Sequence, residues 1–478
     1  MSESGKITII AKNIKGNANG QVRYDAKKIS NTSGGVFSQN GKTKGTSYGK
    51  ADERKPPVKS TSATTKVKEI ELITALDDGS ANDKSGGIQK GMVFGKTYEF
   101  RVKSFTGDKE PSDKSKINWI VKYHSLSKNQ WQEINLKAKG EVMKLFVNEK
   151  EMCGRFVHVK AFINDSETEG QLKIWKHNRF RFFDRKIVYE QAENRAKNPW
   201  KINQQSSSLC GMAALYYILI KKDSALYLKI ANELFRTGEC KVNDFTIKPH
   251  SEALTMYDMD PKSSDYKTVN MPYVDWIVLA TTRSREAFLF DNLVYRGIER
   301  GNIDMIKAVN WPEMMKKMTQ KVANYSSVNM IGLSKLLIQQ KKRPIGGRLY
   351  DKFSDSDLEH LKNMEIKHNQ GHQILMMIDS NMIENTRSYS YSDIFNNSHW
   401  VVYEGGLNFF DEKGDITNSL DEIKNVSFKI FTWGYNPHNG YKDETNKIPA
   451  SRYILLKSDY KISSDCFKST FYGYIEAS

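Results

Sequence analysis

The sequence predicts a multidomain chain in three parts: a disordered, extended N-terminal leader, an all-β sandwich, and an α+β domain. Three observations carry this. At 478 residues the chain is too long for one ordinary core. Short alternating apolar runs fill the region from about Val67 to Phe183. Beyond Lys186 helical patterns come first and strand-like ones later, which argues α+β.

Residues 1–66 hold one strand-like run, KITIIAKNI, and then turn formers up to DERKPPVKSTSATTK, where Pro56, Pro57 and the following Ser/Thr run mark a linker. The segment carries 13 Lys/Arg against 4 Asp/Glu, so it holds over half of the net charge of +17. The basicity therefore belongs mostly to a solvated tail, and nucleic acid is not the expected partner.

Residues 67–183 read as seven antiparallel strands with one wet face: KEIELIT, KTYEFRVKSF, KINWIVKYH, WQEINLK, VMKLFV, RFVHVKAFI and QLKIWKH. Turns such as SFTGDKEPSDKSK and NDSETEG separate them, and seven such strands suggest a sandwich. Trp119 resembles the core tryptophan of immunoglobulin-like domains, although Cys153 stands alone where those domains carry a cysteine pair. An ordinary core aromatic is the preferred reading of Trp119.

In residues 186–478 the run LCGMAALYYILI is apolar all round and predicts a buried central helix. Ser224 starts a second helix, SALYLKIANELFRTG, with Gly238 as its stop. SREAFLFDNLVYRGIERGN and MIGLSKLLIQQKK read as further amphipathic helices. HQILMMID, HWVVYEGG, VSFKIFTWG, SRYILLK and FYGYIEAS read as strands. The stretch FFDRKIVYEQAENRAKNPWK reads as a charged connector that few core contacts cross.

The four cysteines, Cys153, Cys210, Cys240 and Cys466, show no metal-ligand spacing and no disulfide framework, which fits thiols kept reduced where the protein is made. No 18 apolar residues run together, and MSESGKITII has no basic segment followed by an apolar one. The expectation is a soluble protein exported without a cleaved signal peptide.

One cysteine stands in a setting that suggests chemistry. QQSSSLCGMAAL puts Cys210 in the first turn of the buried helix, where free N–H groups and the helix dipole favour a thiolate. Gly211 would leave the sulfur accessible. Gln204, six residues upstream, and the Cys210 N–H could together meet an oxyanion. A partner base must be a histidine, and His372 in NQGHQILMMID and His399 in NSHWVVYEGG both precede apolar strand-like runs.

The spacing from Gln204 to Cys210-Gly211 resembles the nucleophile segment of papain-like cysteine peptidases, in which that glutamine is the oxyanion residue. In such folds the basic histidine heads a strand that hairpins into another ending in Trp-Gly. Here HWVVYEGG leads to VSFKIFTWG, with Trp433 and Gly434, so the resemblance selects His399 and leaves His372 to open the preceding strand. An ion pair with His399 should then hold the Cys210 thiol below its ordinary pKa of about 8.5. The third member departs from the pattern. Papain's orienting asparagine falls on Phe431, related effector peptidases place an aspartate near Asp415, and Asp411 is a second candidate. A Cys-His dyad held by a backbone carbonyl is the remaining arrangement.

His399 to Gly406, Phe428 to Gly434 and Phe467 to Ile475 together resemble the papain-like toxin domains of bacterial polymorphic and type VI secretion effectors. The leader GKITIIAKNI … NTSGG … KGTSYGK is similar to the N-termini of secreted Bacteroidetes effectors. The resemblance implies a leader (1–66), an immunoglobulin-like adaptor (67–183) and a papain-like toxin domain (186–478). The chain would be made in a bacterial cytoplasm and exported into a competitor cell. The implied partners are a secretion apparatus component bound through residues 1–183, a target protein and a cognate immunity protein. No metal or organic cofactor is implied. The same Cys-His machinery could instead cleave peptidoglycan amides or deamidate glutamine, and a non-catalytic binding protein on an inactive peptidase fold is the non-enzymatic reading.

Overall fold

The computed structural model describes residues 65–205, 207–250, 271–286, 294–297, 299, 305, 307–333, 356–383, 385, 398–433, 454–455 and 461–478. The leader and its strand-like run, most of SREAFLFDNLVYRGIERGN, and Gly434 lie outside them. The chain is mixed α/β, with several antiparallel sheets and seven α-helices among the described residues. No helix among those residues is long and apolar enough to cross a membrane.

All seven strands expected between Val67 and Phe183 form. Val67–Leu72, Thr97–Phe105 and Val142–Phe146 make one sheet, and Gln130–Lys139, Asn118–Ser125, Arg155–Phe162 and Gln171–Lys176 make the other. Alternate residues of both sheets, among them Tyr98, Phe100, Trp119, Val121, Met143, Val157 and Val159, close one core. Trp119 is fully buried there, and its indole N–H donates to the Gly140 carbonyl at 2.8 Å. An added two-stranded ribbon, Asp77–Ser80 with Ile88–Gly91, was not legible because DDGS and IQKG show no apolar alternation.

The second half is built on a six-stranded antiparallel sheet in the order Val328–Ile331, Phe471–Ala477, Gln373–Asp379, Ser398–Tyr403, Lys429–Phe431 and Ile454–Leu455. Its two faces separate residue by residue. Leu375, Met377, Trp400, Val402, Phe431 and Ile475 face the helical core around Cys210–Lys222. Ile374, Met376, Ile378, Val401, Tyr403 and Ile430 face a second core closed by the helices Ser356–Asn369 and Ser464–Thr470. Burial on both faces is why QILMMID reads as a continuous apolar run.

Two expectations change. Met330 and Ile331, expected in a helix, lie in an edge strand because Tyr474 and Ile475 offer them a backbone ladder. Gly473 lets that strand approach: a Cβ there would stand 2.5 Å from the Ile331 carbonyl oxygen. VSFKIF is split at Phe428, so Asn425–Ser427 pairs with Asn408–Phe410 in a small sheet and Lys429–Phe431 joins the large one.

The connector is the helix Arg185–Lys197, capped by Asp184, which also accepts the Lys84 N–H of the ribbon at 2.7 Å. Core contacts do cross it. Phe180 and Phe183 pack against Trp276 at 5.7 and 5.6 Å between ring centres, so the core of the second half begins before residue 186. Arg236 pairs with Glu151 of the strand-rich half at 3.2 Å. Residues 64–478 form one compact unit by contact.

Candidate active site

The central helix runs from Cys210 to Lys222, and Cys210–Ile220 are all buried. Leu209 precedes it with no side-chain cap, so the first-turn N–H groups stay available. The loop before it is tightly held. Gln204 donates from Nε2 to the Ser207 carbonyl at 2.8 Å, and the Ser207 hydroxyl returns a bond to the Gln204 carbonyl at 2.7 Å. Glu299 accepts both the Ser208 N–H and its hydroxyl at 2.8 Å, while Asn310 Nδ2 donates to the Ser208 carbonyl at 2.8 Å. Both sides of this residue, two before the cysteine, are therefore fixed.

Gly211 has a role other than exposing sulfur. A Cβ at that position would stand 2.6 Å from both Asn310 Cβ and Met315 Sδ, so the glycine lets the helix start close against Asn310. Asn310 in turn accepts the Trp400 indole N–H on its carbonyl at 2.7 Å. It thereby links the cysteine loop to the strand that carries His399.

His399 lies on Ser398–Tyr403, opposite Ile378 of the neighbouring strand. The backbone N–H of the next residue, Trp400, faces the Cys210 sulfur. The imidazole Nε2 lies 2.5 Å from the Thr432 hydroxyl. Thr432 is buried between Phe431 and Trp433, and Phe431 stacks on Tyr217 of the central helix at 4.1 Å. Two neighbouring strands thus bring histidine and threonine together, while the cysteine on the central helix is met by the Trp400 backbone; His399 is paired with Ile378, whose side chain faces the second core.

The electrostatics differ from the expected ion pair. Burial pushes the Cys210 thiol up to about 11, and the nearby Glu299 carboxylate adds to the rise. The N–H groups of Trp400, Gly211 and Cys210 oppose it without overcoming it. Burial also pushes the His399 imidazole down to about 4. At neutral pH both groups are therefore uncharged in the closed site.

Asp411 and Asp415 are placed elsewhere. Asp411 accepts the N–H groups of Lys413 and Asp415 at 2.9 Å, forming the tip of the hairpin that leaves Asn408–Phe410, and Asp415 is exposed. Neither bonds the His399 ring, whose partner is Thr432. His372 precedes Gln373–Asp379, as expected, and bonds Glu476 at 2.7 Å. Six residues separate it from Ile378, so it sits roughly 20 Å along the strand from the level of His399. Thr432, Glu299 and Asn310 were not singled out in the sequence. Only the place of Thr432 inside FTWG hinted at a role.

No protein-family model matches the chain, and no similar curated protein or solved structure is found.

Proposed function

We propose that the chain is a secreted antibacterial effector whose C-terminal part is a papain-like Cys-His hydrolase acting on a protein of a competitor cell. One observation carries this reading: the strand that brings the Trp400 N–H to the Cys210 sulfur holds His399 next in sequence, with its Nε2 on Thr432. That bond leaves Nδ1 as the ring nitrogen to take the thiol proton. Sulfur then attacks the carbonyl carbon, and the oxyanion meets the Cys210 N–H and the second N–H of Gln204. The imidazolium returns its proton to the leaving amine. Water hydrolyses the thioester and restores the thiol. Because both groups rest uncharged, charge separation is deferred until substrate is bound.

Residues 1–183 serve export and docking in this reading, with the two-sheet region as an immunoglobulin-like adaptor, and an immunity protein covers the site in the producing cell. Peptidoglycan amides and glutamine side chains are alternative substrates of the same machinery. A rival has an observation of its own. Cys210 is 7% exposed with its thiol raised, as expected of an inert core cysteine in a binding protein. Expression in a sensitive bacterium separates the readings. Growth arrest in the cytoplasm that is lost in Cys210→Ala supports a protein target, and arrest only with periplasmic delivery points to the cell wall. Arrest retained in Cys210→Ala overturns the hydrolase.

A further inference from the structure

The outer face of the four-stranded sheet carries aromatic side chains where a solvated strand face ordinarily carries polar ones. Trp131 is 58% exposed and Phe156 45% exposed. Register places His124 opposite Trp131, and Phe156 opposite Trp175. The Trp131 ring stands nearly perpendicular to His124 and His158, with centres 5.9 and 5.2 Å away, and Phe156 meets Trp175 edge-on at 5.3 Å. These edge-on contacts orient the rings at the surface. With strands about 4.8 Å apart, the face spans roughly 15 Å across the sheet.

Of the lysines beside the rings, Lys122 and Lys160 are paired with carboxylates, and Lys173 meets a ring instead. Lys122 pairs with Glu133 at 3.1 Å and also with Glu167, which pairs with Lys160 at 3.1 Å. Lys173 lies over the Phe156 ring at 4.3 Å. Burial and the neighbouring lysines hold the His158 imidazole below its ordinary range, so at neutral pH it offers one donor and one acceptor. A polyanion would need unpaired cations along the face. A face with oriented rings, a neutral His158 imidazole and lysines mostly paired with carboxylates complements an uncharged partner that has apolar C–H faces and a rim of hydroxyls.

We propose that this face binds a carbohydrate chain of β-linked glucose or N-acetylglucosamine type, whose equatorial substituents leave flat C–H faces to lie on Trp131 and Phe156. The rim hydroxyls would bond His124, His158 and the Glu133–Lys122 pair. The site is separate from Cys210 and stands whether or not that residue is a nucleophile. It gives the strand-rich half a role in holding the chain on a glycan surface.

Co-sedimentation of the full chain with cellulose, chitin and purified peptidoglycan sacculi tests this. At least one of the three should retain the wild type and Cys210→Ala equally. Trp131→Ala and Phe156→Ala, at exposed positions where folding is little affected, should each weaken retention by tenfold or more. Retention by none of the three overturns the proposal, as does retention that both variants preserve. Binding of single-stranded nucleic acid that depends on Trp131 and falls steeply with salt, without glycan retention, would assign the face to a polyanion and also overturn it.

Discussion

At Cys210 the helix N-terminus and three N–H groups favour a thiolate, while burial and Glu299 oppose it, and burial wins. Glu299 is the part that mutation can remove without opening the core. Glu299→Gln keeps an acceptor for Ser208 but deletes the charge, so the Cys210 pKa should fall and its alkylation by iodoacetamide at pH 8 should quicken by roughly 3- to 10-fold. An unchanged rate would show that the carboxylate does not act on the sulfur. His399 has a stability consequence. Its folded pKa of about 4 lies below the unfolded value of about 6.5, so the unfolded chain binds the proton first. Its contribution is complete above about pH 6.5 and is lost as pH falls towards 4, by up to about 3 kcal/mol. Asp275, raised to about 6 by burial beside Arg195, titrates in the same window with opposite sign. The informative quantity is therefore the difference in urea stability between wild type and His399→Gln. That difference should shrink as pH falls from 7 to 4.5, and a pH-independent difference would contradict the depressed pKa.

Between elements, the joint of the central helix with Asn310 is the point of least tolerance. Gly211→Ala would press a methyl group against Asn310 and Met315, and should cost about 1–3 kcal/mol in urea unfolding. Unaltered stability would mean that the joint has slack. The elements themselves were largely legible, because period-2 alternation marks half-buried strands and the all-apolar run marks a buried helix. LCGMAALYYILI forms that helix and SALYLKIANELFRTG ends on Gly238 with positive φ, as its pattern required, although the cap is Asp223. What failed depends on partners distant in sequence. Met330 and Ile331 become a strand only because the chain's last strand lies beside them, and Thr432 becomes the histidine's partner only through the pairing of Ser398–Tyr403 with Lys429–Phe431. Asp415 was sought by its spacing from His399, and DEKGDIT, which reads as a hairpin tip, forms one closed by Asp411. The expected ion pair failed because sequence shows a helix N-terminus but not the depth at which it is buried.

For the whole molecule, the connector sets where the chain can be divided. A fragment beginning at Lys186 lacks Phe180 and Phe183, which pack with Trp276 and Tyr273. A fragment beginning at Asn178 keeps both rings and the bond from the Arg179 N–H to the Arg236 carbonyl at 3.0 Å. The longer fragment should unfold cooperatively and at higher urea than the shorter, and equal midpoints would show that the two rings contribute nothing to the second core. The central claim is that Cys210, with His399 set by Thr432, forms a hydrolytic site. Its most direct test is quantitative mass spectrometry of a bacterial lysate exposed to wild type, Cys210→Ala, Thr432→Val and Thr432→Ser. Wild type should produce new peptide termini or glutamine-to-glutamate conversions, and Cys210→Ala should produce none. Thr432→Val should lose roughly 10-fold or more in rate, and Thr432→Ser should recover it. The same modified sites appearing with Cys210→Ala, or none with wild type, would contradict that claim.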